Sequence, residues 1–173
     1  WQRLSVPSYF TFLHFHDVIQ AAFGWSNSHL FQFSEKGFGP GIKITQLSDE
    51  MEDDDWGYIN SEEIILSAIF KKEKQKLVYI YDFGDSWKHK ITLEKILPEI
   101  SLNANCLEGK GQSPPEDCGG VWSYQNLKDI LKDKSDPEYE EYMEWLGLDE
   151  DEPWNPKEFD LLETQNYLQG LFK

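Results

Sequence analysis

Two cysteines in 173 residues, Cys106 and Cys118, are too few to staple a small domain. The fold must therefore rest on an apolar core, and a reducing, cytoplasmic setting is expected. No apolar stretch approaches the roughly 20 residues that a membrane-spanning helix needs, and no basic start with an apolar centre marks a secretory signal. Positive charge is scarce: 16 Lys and Arg stand against 32 Asp and Glu, a formal net charge of -16. No run supplies the basic patch of a nucleic-acid binder, and an acidic surface disfavours DNA and anionic membranes. Neither is expected as a partner. Walker loop, nucleophile elbow, His-Glu-x-x-His helix and Rossmann fingerprint are all missing. Asp82-Phe83-Gly84 spells the magnesium-binding triplet of protein kinases, but with no His-Arg-Asp loop or Gly-rich strand pair upstream the match is coincidence.

Aromatic residues are plentiful, at 7 Trp, 8 Tyr and 11 Phe, enough for a sizeable core in one domain spanning 1–173. The organising stretch is a hairpin over 79–91. Leu77 to Tyr81 is apolar on both faces, as a central strand is. After Gly84-Asp85, Trp87, His89, Ile91 and Leu93 alternate with Lys88, Lys90, Thr92 and Glu94, the pattern of a half-buried strand. Gly84-Asp85 as a two-residue type II′ loop sets Asp82 opposite Trp87 and Ile80 opposite His89, which makes Asp82 and His89 diagonal neighbours on one face.

The rest follows in order. The chain opens on Trp1 rather than Met, so an upstream segment carrying the start of the first strand is expected before Trp1 to Pro7. Phe12, Phe15, Ile19, Ala22 and Phe23 recur at helical spacing up to Gly24, predicting a helix from about Thr11 to Phe23. His14 and His16, two apart, sit on different faces of it, and His16 falls at the edge of the apolar stripe. Ser28 to Ser34 is a short strand. The acidic run Asp49 to Asp55 gives a poor EF-hand register, with Trp56 at a ligand position, and reads as a solvated loop. Glu62 to Phe70 reads as a buried strand followed by a short helical turn. Residues 101–122 form a long ordered loop, stiffened by Pro114-Pro115, which either caps the sheet or forms a site. Residues 123–173 are a helical cluster. One helix carries Tyr124, Leu127, Ile130 and Leu131; a second opens at Asp136-Pro137 and ends at Gly147; a third runs from an Asn155 cap to about Leu171.

Cys106 and Cys118 are 12 apart, with no further Cys or nearby His to complete a zinc set, so no metal or other cofactor is expected. The candidate binding residues are Asp82, Asp85, Trp87 and His89 of the hairpin, with His16, His29, Glu116 and Asp117. For Asp82, Asp85 and His89 the structural alternative is a buried histidine satisfied by a hairpin carboxylate.

Four stretches carry a resemblance: Trp1-Gln2-Arg3 with Val6-Pro7; Phe15 to Trp25 followed by His29-Leu30; Tyr81 to His89; and Pro114 to Gly120. As a set they resemble the plasmid pRiA4b ORF-3-like family, whose members are often labelled insertion-element passenger proteins. The resemblance implies an α+β fold and brings no settled activity; the mobile-element label describes genetic neighbourhood. Members usually begin with a strand ahead of the Trp-x-Arg stretch. His16, His29 and His89 match family positions. Ser113 stands where the family pattern has a cysteine, which weakens a shared cysteine-metal site.

The expected molecule is an α+β domain with an antiparallel sheet organised around the hairpin, packed by the N-terminal helix and the C-terminal cluster. The first functional expectation is a non-enzymatic binding module for a protein or small-molecule partner, through the surface near Asp85, Trp87 and the Pro-Pro-Glu-Asp loop. The alternative is a metal-assisted hydrolase using His16, His29 and His89 with Asp82 or Glu116. It requires the three rings to converge on one point.

Overall fold

The computed structural model describes residues 1–47, 57–149 and 154–171. The acidic run and Trp56 lie outside them. Among the described residues no helix is long and apolar enough to cross a membrane. The fold is α+β. A sheet of β2 (Phe31–Ser34), β3 (Lys43–Thr45), β4 (Tyr58–Asn60), β5 (Lys76–Tyr81) and β6 (Trp87–Thr92) has the order β4-β3-β2-β5-β6. It is mixed rather than purely antiparallel, because β3 and β4 run parallel. The hairpin strands β5 and β6 occupy one side of it, with β6 at the edge.

Helix α1 (Phe12–Phe23) covers this sheet. Thr11 accepts from the His14 amide while the His14 ring accepts from the Thr11 amide, a reciprocal cap built on histidine in place of the usual Glu or Gln. Left-handed Gly24 closes the other end. The buried stripe of α1 meets the sheet through aromatic pairs: Phe12 lies edge-on to Phe33 at 5.1 Å, and Phe15 stacks on Phe33 at 5.6 Å. The segment after β4 is a turn, a single bridge from Ile65 to Thr11 and the one-turn helix α2 (Leu66–Ile69), not the buried strand expected from Glu62 onward. The apolar residues there cover the start of α1 instead of pairing along a ladder.

Residues 101–122 are not loop throughout. β7 (Asn105–Gly109) pairs antiparallel with β1 (Gln2–Ser5), a two-stranded ribbon. Gly109 is required there, since a Cβ would sit 2.3 Å from the Phe159 ring. Helix α3 (Gly120–Ile130) and helix α4 (Tyr139–Trp145) follow, burying Leu127, Ile130 and Met143. Helix α5 (Leu161–Gly170) starts at an Asp160 cap rather than at Asn155, and packs on β7 and α1. Asn155 caps only a local turn, which frees Phe159 to reach Gly109.

Candidate functional site

The turn between β5 and β6 differs from the expected one, and the difference builds the site. Tyr81 pairs with Trp87 and Tyr79 with His89, so five residues, 82–86, form the loop. Asp82 and Ser86 both adopt left-handed backbone, at φ 52° and 56°. Asp82 Oδ1 accepts from the amides of Gly84 and Asp85 at 2.9 and 3.3 Å, an Asx-type turn that holds its residue in this conformation. The register shift puts His89 opposite Tyr79, and Asp82 serves its own loop rather than His89. Its second oxygen, Oδ2, faces His29 Nε2 at 3.9 Å.

Residues 114–120 dock against this turn and against the segment after α1. Trp25 Nε1 donates to the Pro114 carbonyl at 2.9 Å. Glu116 accepts from the amide and hydroxyl of Ser26 and from the hydroxyl of Tyr81. The Gly119 amide donates to Asp85 Oδ2 at 2.9 Å. Gly120, at φ 77°, lies so close to the hairpin that a Cβ would meet the Asp85 carbonyl oxygen at 2.7 Å. Asp117, at φ 59°, then points its carboxylate at His29, whose Nε2 donates to Asp117 Oδ1 at 2.8 Å. The paired prolines therefore belong to an anchored arm, not merely a cap.

The result is an acidic surface cluster around one imidazole. Partial burial disfavours the His29 cation, but the hydrogen bond to Asp117 and the charges of Asp82, Asp117 and Glu116 outweigh it and raise the ring above its ordinary value. Burial likewise pushes Glu116 upward, and the hydrogen bonds from Ser26 and Tyr81 overcome it, holding that carboxyl below the usual range. Among the described residues no lysine or arginine ion-pairs with Asp82, Asp85, Glu116 or Asp117.

The three histidines do not share a ligand point. His16 is fully buried, not at the edge of the stripe as expected. Its Nε2 meets Asn27 Oδ1, and its Nδ1 accepts from the Tyr79 hydroxyl at 2.8 Å, which itself accepts from Gln20 Nε2 at 3.0 Å. That chain fixes the tautomer, and the ring stacks on Phe31 at 3.6 Å. Burial lowers its pKa to about 4 despite the bond to Asn27. His89 lies among Phe23, Trp25 and Tyr79, its buried Nδ1 without a well-formed hydrogen bond, and burial takes it to about 4 as well, the Trp87 carbonyl offsetting only part. Trp87 is buried beneath Trp25 and Tyr124, so it supports the site from below. Among the described residues, the His, Cys, Asp and Glu atoms that gather closely enough to hold a metal are those of His29, Asp82 and Asp117.

His89→Phe should therefore stabilise the protein by about 1 kcal/mol at neutral pH, because it removes a buried nitrogen that makes no well-formed hydrogen bond while keeping an aromatic ring. Urea unfolding checks this; a loss of more than 1 kcal/mol would mean the imidazole makes a contact that phenyl cannot replace.

Residue reading missed Trp25, Tyr81 and Ser26 as builders of the site. Trp25 and Tyr81 stood within stretches that carried the family resemblance, but no spacing links them to Pro114 or Glu116, 89 and 35 positions away.

Comparison with known proteins places this geometry in a group. The model of the plasmid pRiA4b ORF-3-like protein family matches residues 1–163. A protein of Sinorhizobium fredii (strain NBRC 101917 / NGR234), described as uncharacterized protein y4hQ, is 35% identical over 150 residues, covering 84% of this chain and 73% of its own. The crystal structure of the protein of unknown function MM3350 from Methanosarcina mazei Go1 superimposes with a TM-score of 0.78 at 36% identity, covering 93% of this chain and 86% of that one.

Proposed function

Because the chain belongs to the plasmid pRiA4b ORF-3-like protein family, whose compared relatives are described as uncharacterised or of unknown function, we propose a role from the site itself: a non-enzymatic binding module. It acts as a single α+β unit and contacts its partner through the hairpin tip, residues 26–30 and residues 114–122. The observation that carries this reading is the anchoring of the 114–120 arm at three points, Trp25–Pro114, Ser26–Glu116 and Asp85–Gly119. A surface fixed in advance loses little freedom on binding, and preorganisation of this kind favours affinity. The face is both acidic and apolar: Phe83, Leu30, Val121 and Trp122 are exposed beside Asp82, His29 and Gly120 in the chain, Trp122 at 88%. Such a surface suits a protein segment bearing basic and apolar side chains. The free thiols of Cys106 and Cys118, the latter pushed up to about 11 by burial and the Asp85 charge, agree with a reducing, cytoplasmic setting. A hydrolase built on His16, His29 and His89 loses support, since His16 is buried in the core and the His89 ring packs against Phe23, Trp25 and Tyr79.

The test is a titration of the 15N-labelled protein with a short Arg/Leu peptide, followed amide by amide. Saturable shifts confined to 26–30, 82–87 and 114–122, weakened roughly tenfold or more by Trp122→Ala as for a hot-spot aromatic, are expected. Non-saturable shifts spread over other acidic segments such as 136–144 would overturn the reading.

A further inference from the structure

We propose that His29, Asp82 and Asp117 form a binding site for a divalent first-row transition metal ion, with Zn²⁺ the best-fitting probe. The inference deepens the proposed function, and rests on it in taking this face as the ligand-binding surface. It shares His29 and Asp82 with the expected hydrolase set, but replaces His16 and His89 by Asp117.

Geometry comes first. Nitrogen and oxygen ligands bind such ions at about 2.1 Å, so two ligands on one ion lie about 3.0–3.4 Å apart. His29 Nε2 is 2.8 Å from Asp117 Oδ1 and 3.9 Å from Asp82 Oδ2, and the three ligand atoms all fall within 4.8 Å of one another. Side-chain rotations moving atoms by about 1 Å suffice to close them around an ion at those bond lengths.

Orientation is the second observation. Asp82 is held by one oxygen, which accepts two backbone amides, while the other is turned toward His29. Fixing one carboxylate oxygen so that the second aims into a site is what supporting shells do for metal ligands. Glu116 adds charge without competing for the ion, because both its oxygens accept hydrogen bonds from Ser26 and Tyr81.

Charge is the third. No lysine or arginine among the described residues neutralises these carboxylates, and His29 is the group that faces them. A divalent ion would replace the Nε2 proton at the same position with twice the charge. One imidazole with two carboxylates favours Zn²⁺, Co²⁺ or Mn²⁺ over Mg²⁺ or Ca²⁺, which prefer all-oxygen shells. Three protein ligands leave the remaining coordination positions to water or to a group of the bound partner.

Chelator-stripped protein titrated with Zn²⁺ by calorimetry, and with Co²⁺ by visible absorption, tests the site. One equivalent should bind, with a structured Co²⁺ d–d spectrum. His29→Ala, Asp82→Asn and Asp117→Asn should each weaken binding roughly tenfold or more. Asparagine tolerates the left-handed backbone at 82 and 117, so the two amide variants keep the fold, which circular dichroism verifies. Absence of stoichiometric uptake, or uptake unchanged in all three variants, overturns the proposal. Failure of the metal with the peptide footprint intact removes this inference alone. Metal uptake by the three residues with no localised peptide footprint removes the binding-module reading and leaves the metal site standing.

Discussion

Trp25→Ala should cost about 3–5 kcal/mol, the range for emptying a buried large aromatic, and should free the 114–120 arm. Trp25 is 7% exposed and is the joint between core and site. Its ring stacks on Tyr81 at 4.9 Å, packs against Phe23, Trp87 and His89, and donates from Nε1 to Pro114. Alanine removes all of these together. Trp25→Phe separates them, keeping most of the packing while dropping the hydrogen bond. It should cost about 1 kcal/mol for that bond, and hydrogen exchange should rise at residues around 114–120 with little change in α1. Urea unfolding with site-resolved exchange decides it. Trp25→Ala within 1 kcal/mol of the parent, with unchanged protection of the arm, would show that the arm is held elsewhere.

The second large effect is acid destabilisation. His16 and His89 sit at about 4 in the folded protein, against an ordinary 6.5. Above about pH 6.5 both rings are neutral folded or unfolded and neither affects stability. As pH falls below 6.5 the unfolded chain takes up protons that the folded core refuses, so stability drops until about pH 4. At 1.36 kcal/mol per unit the fully buried His16 costs about 2 kcal/mol by pH 5 and about 3 kcal/mol below pH 4, and the partly exposed His89 costs less, large together beside a total of about 5–15 kcal/mol for an ordinary domain. Glu116, held low when folded, adds its own loss as pH falls through its folded value. His29 acts in the opposite direction, being raised, but it is only partly buried and its contribution is screened. Relief of the net charge of -16 also opposes the trend. Unfolding free energies at pH 7.5, 6 and 5 should fall steeply, and His89→Phe should remove the smaller part of the histidine-linked loss. A flat profile from pH 7.5 to 5 would show that neither ring is held neutral.

Local periodicity made much of the fold legible. The helix of 12–23 was readable because its apolar spacing and Gly24 stop are properties of adjacent residues, and the strand from Trp87 because its alternation needs no knowledge of a partner. β7 was not readable: Asn105 to Gly109 carries no alternating pattern, and its reason for being a strand is β1, at the far end of the sequence. The start of α5 was misplaced because Asn155-Pro156-Lys157-Glu158 carries good local capping chemistry. Tertiary packing of Phe159 against Gly109 prevails over it, and the helix waits for Asp160.

The site divides in the same way. Sequence alone determined its inventory, including the hairpin carboxylates, the histidines and the rigid Pro-Pro-Glu-Asp arm, because residue type and local stiffness are written in the chain. It also determined that His89 faces inward, since side-chain direction alternates along any strand. Which groups meet was decided only by the tertiary structure. The turn, with Asp82 and Ser86 both left-handed, is longer than expected and the ladder shifts by one position, parting the expected Asp82–His89 diagonal. The docked arm then brings Asp117 to His29 across 88 residues of sequence. Contacts of that separation depend on register and docking, which follow from the summed packing of the whole core and not from any stretch that contains them.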